Sequence, residues 1–325
     1  MAARYINPYT DFGFKKLFGE EGSKNLLIDF LNSVLPEASR IQSLTFKNLE
    51  GLPDSENERR AVFDIACRSE SGEEFIVEMQ KAKQHYFKDR SLFYSTFPLR
   101  GQAQKGDWDW QLKKVYFVGI LDFEYDEQEE KRKFLREVSL KDQDGDNFSD
   151  KLNFIFLQMP LFNQTEAELV THKDKWFYFL KHLEDFDQLP AILRDEVFEQ
   201  ASALAEYHNL SRNDQALYER DLRNYRDNYA IMQTAKNDSY AEGKAEGKAE
   251  GRAEGKAEGK AEGKAEGKAE GQSDAIILVL QARFQTVPAA AREQLSAITA
   301  PEKLAPLTSL AATCATLDEF IAALQ

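Results

Sequence analysis

Apolar positions near the start of the chain follow a helical period. Residues 10–19, TDFGFKKLFG, and 23–36, SKNLLIDFLNSVLP, carry leucine and phenylalanine three and four positions apart. This spacing is typical of helices with one buried face. Thr10 and Ser23 stand where N-cap side chains are favoured, and a proline closes the second pattern. We therefore predict a helical cap over residues 1–36.

Strand patterns follow the cap. β-Branched and aromatic runs predict strands at about 60–68, 74–80, 113–123 and 150–160. Between the second and third runs, residues 84–97 form an amphipathic helical pattern that we expect to end near Pro98. Helical patterns dominate after residue 166, including KDKWFYFLKHLEDF and AILRDEVFEQASALA. The chain thus begins as a strand-and-helix mixture and becomes helical.

A tetrad repeat occupies residues 241–272, with AEGK six times, AEGR once and a final AEGQ. Alanine, glutamate and lysine favour helix, but each glycine costs about 1 kcal/mol there. Identical residues stand four apart, so like charges face each other. We predict a semi-rigid, partly helical spacer without chemistry. The alternative is that the glycines let two such helices approach closely.

The composition restricts the class of protein. The chain has 325 residues, 42% of them hydrophobic, enough for about two domains with a core. Its two cysteines, Cys67 and Cys314, lie far apart, which indicates neither a disulfide framework nor a zinc site. We find no signal peptide and no run long enough to span a bilayer. We therefore expect a soluble, cytoplasmic protein with no membrane partner.

The net charge of −14 argues against a protein that simply coats nucleic acid. Residues 81–115 reverse that balance, with eight lysines and arginines against three acids, a net +5. Such a patch suits a site that handles a single phosphate. A solvated helix face explains it equally well.

Two acids interrupt the first two strand patterns. Asp64 lies in AVFDIAC and Glu78 in FIVEMQ, runs that otherwise resemble central strands. A hairpin with a three- or five-residue loop centred on Ser71 would place the two side chains opposite each other, about 5 Å apart. A loop of two or four residues would put them on opposite faces. The sequence SESGE permits either geometry.

Two neighbouring carboxylates need a compensating cation. A hard divalent ion such as Mg²⁺ binds one or two carboxylates together with waters and phosphate oxygens. The alternative is a pair of acids at a solvated sheet edge. The apolar neighbours of both acids argue against that alternative, because an uncompensated carboxylate in a central strand is costly.

The order Asp64, then Glu78-Met-Gln80, after TDFGFKKLFG and before a basic aromatic helix, resembles the PD-(D/E)XK nuclease superfamily. Within it, the chain is similar to the Rpn-like recombination-promoting nuclease and transposase branch. The resemblance implies an α/β restriction-endonuclease-like core with a mixed central sheet flanked by helices. It also implies Mg²⁺-dependent endonuclease activity on DNA, with Mn²⁺ as a substitute.

The resemblance assigns roles to individual residues. Asp64 and Glu78 match the metal-binding acids, with the Met79 carbonyl and Asp11 as further ligands. Gln80 takes the place of the superfamily's lysine, which leaves a neutral hydrogen-bonding group there. Lys83 would lie on the same side of the strand as Gln80 and is assigned to the catalytic residues. Contacts with DNA phosphates are assigned to Lys81, Arg90 and Tyr94. By strand alternation Lys81 faces away from the pair, and Arg90 with Tyr94 has packing as its alternative role.

Together these observations predict four regions: a nuclease-like core (1–165), a helical extension (166–240), the repeat linker (241–272) and a small helical C-terminal domain (273–325). About fifty residues are few for an independent fold, so we expect self-association through the C-terminal region. The leading hypothesis is a metal-dependent DNA endonuclease in recombination, mobile-element or defence biology. The alternative is a catalytically degenerate nuclease fold that acts as an interaction or assembly module. A transposase with a DDE-type triad is weaker, because Asp122, Glu124 and Asp126 offer no clear third acid.

Overall fold

The computed structural model describes residues 3–47, 50–51, 61–82, 86–103, 109–125, 130 and 132–324. The chain divides into two compact units, residues 1–230 and 231–325. No helix in the described part combines the length and the apolar character needed to cross a membrane.

The first unit is built on a mixed β-sheet. Its strands are β1 (Leu44–Phe46), β4 (Ile65–Ser69), β5 (Glu74–Gln80), β6 (Val115–Leu121), β7 (Leu135–Lys141) and β8 (Asn147–Gln158), while β2 (Glu50–Gly51) and β3 (Ala61–Val62) form a separate ladder. The order across the sheet is β1-β4-β5-β6-β8-β7. Strands β5, β6 and β8 run parallel, and the outer strands are antiparallel to their neighbours. The α/β fold with a mixed sheet is confirmed.

Helices cover both faces of this sheet. They are α1 (Asp11–Phe18), α2 (Lys24–Val34), α3 (Phe87–Arg100), α4 (His172–His182), α5 (Glu196–Ala205) and the first part of α6 (Arg212–Phe284). One face, including Val77 of β5, packs into a large core with Phe18 of α1 and Trp176 of α4. The other face, including Ile76 and Phe117, packs with Phe87 of α3. Because both faces are covered, β5 and β6 are buried along their whole lengths.

The predicted strands and helices are present, but their bounds differ, one predicted strand is broken and two further strands occur. The strand expected at 60–68 is broken at Phe63–Asp64, between β3 and β4. Strands β1 and β7 were not anticipated, because β1 has three residues and β7 is a partly exposed edge strand with mixed polarity. Helix α3 continues through Pro98 to Arg100, since a proline so close to the last turn disturbs few helical bonds.

The two expected helix caps differ. The Thr10 hydroxyl accepts a bond from the Gly13 N–H, as predicted for an N-cap. The Ser23 side chain makes no cap bond. It donates to the Glu20 carbonyl at 3.2 Å instead, because a short 3₁₀ turn precedes α2. Ser23 is therefore the N-cap residue by position, as predicted, but its side chain does not cap the helix.

The second unit is helical. The C-terminal part of α6 packs with α7 (Ala289–Ser296), α8 (Pro301–Thr313) and α9 (Leu317–Ala322). Its core includes Leu280, Leu295, Leu304 and Phe320. Ala269, in the last tetrad of the repeat, is buried in the same core. Helix α6 is continuous through the whole repeat, where the sequence indicated only partial helicity.

Candidate functional site

The β4–β5 hairpin sets the relation between Asp64 and Glu78. Ile65 pairs with Val77 and Ala66 with Ile76, so the next position in the same register places Asp64 opposite Glu78. The turn is centred near Ser71, where the Ser69 N–H donates to the Glu73 carbonyl at 2.9 Å. Gly72 there has a φ of +92°, which favours glycine. Of the two alternatives that the sequence left open, the hairpin therefore has the loop with an odd number of residues, which places Asp64 opposite Glu78.

Backbone pairing between β4 and β5 ends at the Ile65–Val77 pair, next to Asp64. Side-chain hydrogen bonds continue the contact from there. The Asp64 carboxylate accepts the Met79 N–H at 2.9 Å. In return, the Asp64 N–H donates to Glu78 Oε1 at 3.1 Å. The break at Phe63–Asp64 thus lets the aspartate side chain bind a backbone amide that would otherwise face a neighbouring strand. Two hydrogen bonds therefore hold Asp64 at the carboxyl end of β5, one from the Met79 N–H and one to the Glu78 carboxylate.

Both carboxyl groups are shielded from water. Glu78 is 1% exposed, and Asp64 is partly buried. Burial, followed by the negative charge of Asp64, raises the pKa of Glu78 to about 8. Burial also raises the pKa of Asp64, although the Met79 N–H opposes the shift. Carboxyl pKa values are raised in this way where two carboxylates share a buried site and no cation compensates them fully.

Positive groups surround the pair without neutralising it. A terminal nitrogen of Arg90 on α3 lies 3.7 Å from Glu78 Oε2, and its charge lowers the Glu78 pKa only in part. Lys15 of α1 and Lys81, just after β5, lower the pKa of Asp64. Gln80 donates its amide to Glu78 Oε2 at 2.9 Å. Gln80 is therefore a neutral donor that orients the Glu78 carboxylate.

The remaining assigned residues lie around this pair. Asp11 is the first residue of α1, pairs with Lys15 at 3.1 Å, and raises the pKa of Asp64 by its charge. Because β5 ends at Gln80, strand alternation does not extend to Lys81. The Arg90 guanidinium lies 5.0 Å from the centre of the Tyr94 ring. Lys83 lies outside the described residues.

Tyr94 has a packing role that the sequence offered as an alternative. Its ring meets that of Phe63 edge-on, with centroids 5.4 Å apart. Phe63 immediately precedes Asp64, so α3 fixes the chain at the point where the strand breaks. The packing of Tyr94 therefore supports the position of the carboxyl pair.

A further acid, Asp122, lies partly buried beside the site, and the sequence analysis named it only as one of three acids without a clear choice. Asp122 follows β6, and its N–H donates to the Gln80 carbonyl at 2.9 Å. Its carboxylate accepts the Tyr225 hydroxyl at 2.9 Å. Burial raises the Asp122 pKa, while the Tyr225 bond and Lys181 lower it. Tyr225 packs against the large core, on the face of the sheet opposite α3. The Asp122 carboxylate therefore binds a different part of the fold from the Glu78 carboxylate.

The donor set fits a hard divalent cation. Carboxylate oxygens are ligands that Mg²⁺ and Mn²⁺ accept, and Mg²⁺ needs only one or two of them beside water and phosphate. Within the described ranges, no group of three or more His, Cys, Asp or Glu side chains is arranged to hold a metal. Asp122 and Glu124 therefore do not complete a DDE-type triad among the described residues, and Asp126 lies outside them.

Comparison with known proteins agrees with this geometry. No curated protein and no solved structure matches the chain. A family model described as PD-(D/E)XK nuclease family transposase matches residues 8–235, which contain the whole sheet and both acids. The chain therefore belongs to the PD-(D/E)XK nuclease family transposases.

Proposed function

We propose that this protein is a Mg²⁺-dependent DNA endonuclease, with Mn²⁺ as a substitute. The observation that carries the proposal is the buried Asp64–Glu78 pair, whose Glu78 pKa is raised to about 8. A divalent ion would supply the missing positive charge. Family membership supports a nuclease function.

Each residue of the site has a task in this proposal. Asp64 and Glu78 would hold the ion, with the Met79 carbonyl as a further ligand. Asp11 pairs with Lys15 and forms no three-acid metal group with them in the described part of the chain, so it would act on the pair through its charge. When bound, the ion would polarise a phosphate oxygen and acidify water. Gln80 orients the Glu78 carboxylate through its 2.9 Å bond. Arg90 and Lys83 would neutralise the scissile phosphate, and Lys81 and Tyr94 would contact neighbouring DNA.

The test is plasmid nicking by the full chain with Mg²⁺, with EDTA as the metal-free arm. We expect Asp64→Ala and Glu78→Gln to abolish Mg²⁺-dependent nicking, because each removes one of two carboxylate ligands. The matched control is Glu74→Gln. Glu74 lies on the same strand and is just as buried, but Lys47 and Arg68 compensate its charge. We expect that control to lose stability and to retain nicking per folded molecule. Nicking by Asp64→Ala at the parental rate would refute the assignment.

A second function has its own support. Arg90 offsets part of the Glu78 charge, and Gln80, which the resemblance matches to the superfamily's lysine, gives Glu78 only a neutral hydrogen bond. Both features would suit a fold that has lost catalysis and serves as an interaction or assembly module. Calorimetry with Mg²⁺ and Mn²⁺ separates the two functions: heat of binding that disappears in Asp64→Ala supports the nuclease, and absence of binding by the parent supports the module.

The cellular setting is proposed on the same basis. A nuclease of this family would act on DNA in the cytoplasm, in recombination, mobile-element movement or defence. Self-association through residues 273–325 would bring two nuclease units to one DNA molecule. Analytical ultracentrifugation of the full chain, compared with a chain ending before residue 273, tests the assembly.

A further inference from the structure

A basic pocket lies at the other end of β5 from Glu78. The Glu74 N–H, at the start of β5, donates to the Lys114 carbonyl at 2.9 Å. Glu78 is four residues further along the strand, about 13 Å at the usual rise. The pocket has a volume of about 570 Å³ and is lined by Trp110, Lys113, Lys114 and Lys151, among others. None of these four residues belongs to the carboxylate site.

Trp110 combines an exposed side chain with an unfavourable backbone conformation. Its side chain is 77% exposed, and its φ is +59°. A bulky residue rarely adopts this left-handed conformation, and an exposed indole gains little from the hydrophobic effect. Backbone strain of this kind is often retained at functional sites. Trp110 therefore presents most of its indole to solvent from a backbone conformation that is unfavourable for a bulky residue.

The segment that carries Trp110 is held in place by hydrogen bonds. The Gln111 N–H donates to Asp109 Oδ1 at 3.1 Å, across Trp110. Gln102, just after α3, accepts the Lys113 N–H at 2.7 Å and donates to the Lys113 carbonyl at 3.2 Å. The indole is thus presented from an ordered segment, which reduces the entropic cost of binding a ligand.

The charge of the pocket differs from that of the whole chain. Lys114 and Lys151 share Asp150, at 3.1 and 3.5 Å. The Lys113 stem lies against Gly72, 3.5 Å from where a Cβ would be. Lys113, Lys114, Lys151 and Glu73 line the pocket, and Asp109 and Asp150 lie beside it, in a protein of net charge −14. The lysines that line the pocket can attract the phosphates of a polyanion, although the chain as a whole is acidic.

We propose that this pocket binds a single-stranded polynucleotide, with one base stacked on Trp110 and phosphates on Lys113 and Lys151. Base stacking on an exposed aromatic ring beside basic groups is the usual mode for single strands. The bases of a duplex are stacked inside the helix and do not reach such a ring. The inference rests on the proposed nuclease function, for which it specifies the form of the substrate.

The test is fluorescence anisotropy of the full chain in EDTA, where the metal-dependent reaction does not proceed. The probes are labelled oligo-dT, oligo-U and a DNA duplex of the same length. We expect the parent to bind oligo-dT or oligo-U more tightly than the duplex, and the two single strands show whether DNA or RNA is preferred. Trp110→Ala should weaken single-strand binding about tenfold or more, whereas Trp110→Phe should retain most of it.

Two further variants separate binding from folding. Trp110→Gly should melt at or above the parental temperature, because glycine relieves the positive φ, and should still lose binding. Lys151→Gln should reduce the slope of log affinity against log salt by about 0.7. Lys303→Gln, at an exposed lysine of the second unit, is the control for charge and should leave the slope unchanged.

Three results would overturn the inference. They are absence of single-strand binding by the parent, equal binding by Trp110→Ala or Trp110→Gly, and duplex binding as tight as single-strand binding. The outcome is independent of the nuclease assignment, since Asp64→Ala should bind the probes normally in EDTA. Failure of the parent to nick plasmid would refute the proposed nuclease function and leave these binding results to decide the pocket.

Discussion

Glu74 and Glu78 are four residues apart on one face of β5, and they are 2% and 1% exposed. Glu74 Oε1 accepts from Lys47 at 2.6 Å and from the Arg68 guanidinium at 2.5 Å. Glu78 instead accepts from two neutral donors, with Asp64 beside it and Arg90 at 3.7 Å. One strand therefore carries a compensated acid at its start and an incompletely compensated one at its end, and the second is the candidate for metal binding.

The stability of the metal-free protein should report the state of Glu78. Its folded pKa of about 8 lies above the ordinary value, so the folded state holds the proton more tightly than the unfolded state. The free energy of unfolding should then fall as pH rises from about 4.5 to 8, by up to a few kcal/mol at roughly 1.4 kcal/mol per pKa unit. Glu78→Gln should remove much of this fall, because the amide does not ionise.

Urea denaturation in EDTA across that pH range measures the effect. Glu73→Gln is a control, since Glu73 lies at the hairpin turn before β5 and is less buried. Identical pH profiles for the parent and Glu78→Gln would show that Glu78 is ionised at its ordinary pKa. Addition of Mg²⁺ should restore stability at high pH in the parent alone, because a ligand bound to the folded state stabilises it.

Sequence alone placed Asp64 and Glu78 in adjacent strands, and strand alternation left only the parity of the loop open. The turn decides the parity, through the positive φ of Gly72 and the Ser69–Glu73 bond. The break before Asp64 was not predictable, because it depends on a side chain accepting the Met79 N–H. Asp122 was one of three acids after the third strand, and only its contact with Tyr225 distinguishes it.

At the scale of elements, one aspartate joins two helices of the large core. Asp29 of α2 accepts the Trp176 indole N–H at 2.6 Å and lies in contact with the His172 ring, both on α4. The hydrogen bond to Asp29 raises the pKa of His172. Although burial opposes it, bonds from His172 and Trp176 lower the pKa of Asp29. The contact is therefore strongest when the histidine is protonated and the aspartate ionised.

The contribution of His172 should depend on pH in a definite direction. Because the folded pKa is raised, the stabilisation is complete below about pH 6.5 and is lost as pH rises through the folded pKa. His172→Gln should lower the melting temperature at pH 6 and have a smaller effect at pH 9, with a difference below about 1 kcal/mol for a partly exposed pair. His208→Gln, at an exposed histidine of the same unit, should show no such trend. A larger effect at alkaline pH would contradict the assigned charge state.

Helices with a strong apolar period and fully buried strands were predictable, as α2 and β6 show. The edge strands were not, since half of β7 meets solvent and its pattern carries arginine, glutamate and lysine. Their place in the sheet comes from long-range pairing, such as that between Val138 and Phe154, and not from local preference. Local patterns therefore predicted the centre of the sheet better than its borders.

At the scale of the whole molecule, the tetrad repeat is the largest departure from local preference. Helix α6 has 73 residues and runs through every tetrad, although glycine recurs at each fourth position. Each glycine costs about 1 kcal/mol in a helix interior. Local opening of this helix should therefore require little free energy, since most of the repeat is exposed and lacks stabilising packing.

Gly255→Ala tests whether the glycines serve only local helix geometry. Within the described chain, nothing lies within 4 Å of a Cβ added at Gly255, so alanine fits and should stabilise the surrounding helix by about 1 kcal/mol. Hydrogen exchange of the full chain should show greater amide protection near residue 255. Gly145→Ala is the matched control: it also has open space, but its φ of +88° makes alanine strained, so it should lower stability. Reduced protection in Gly255→Ala would contradict the open surroundings and would indicate that the glycines let two copies of the helix pack together.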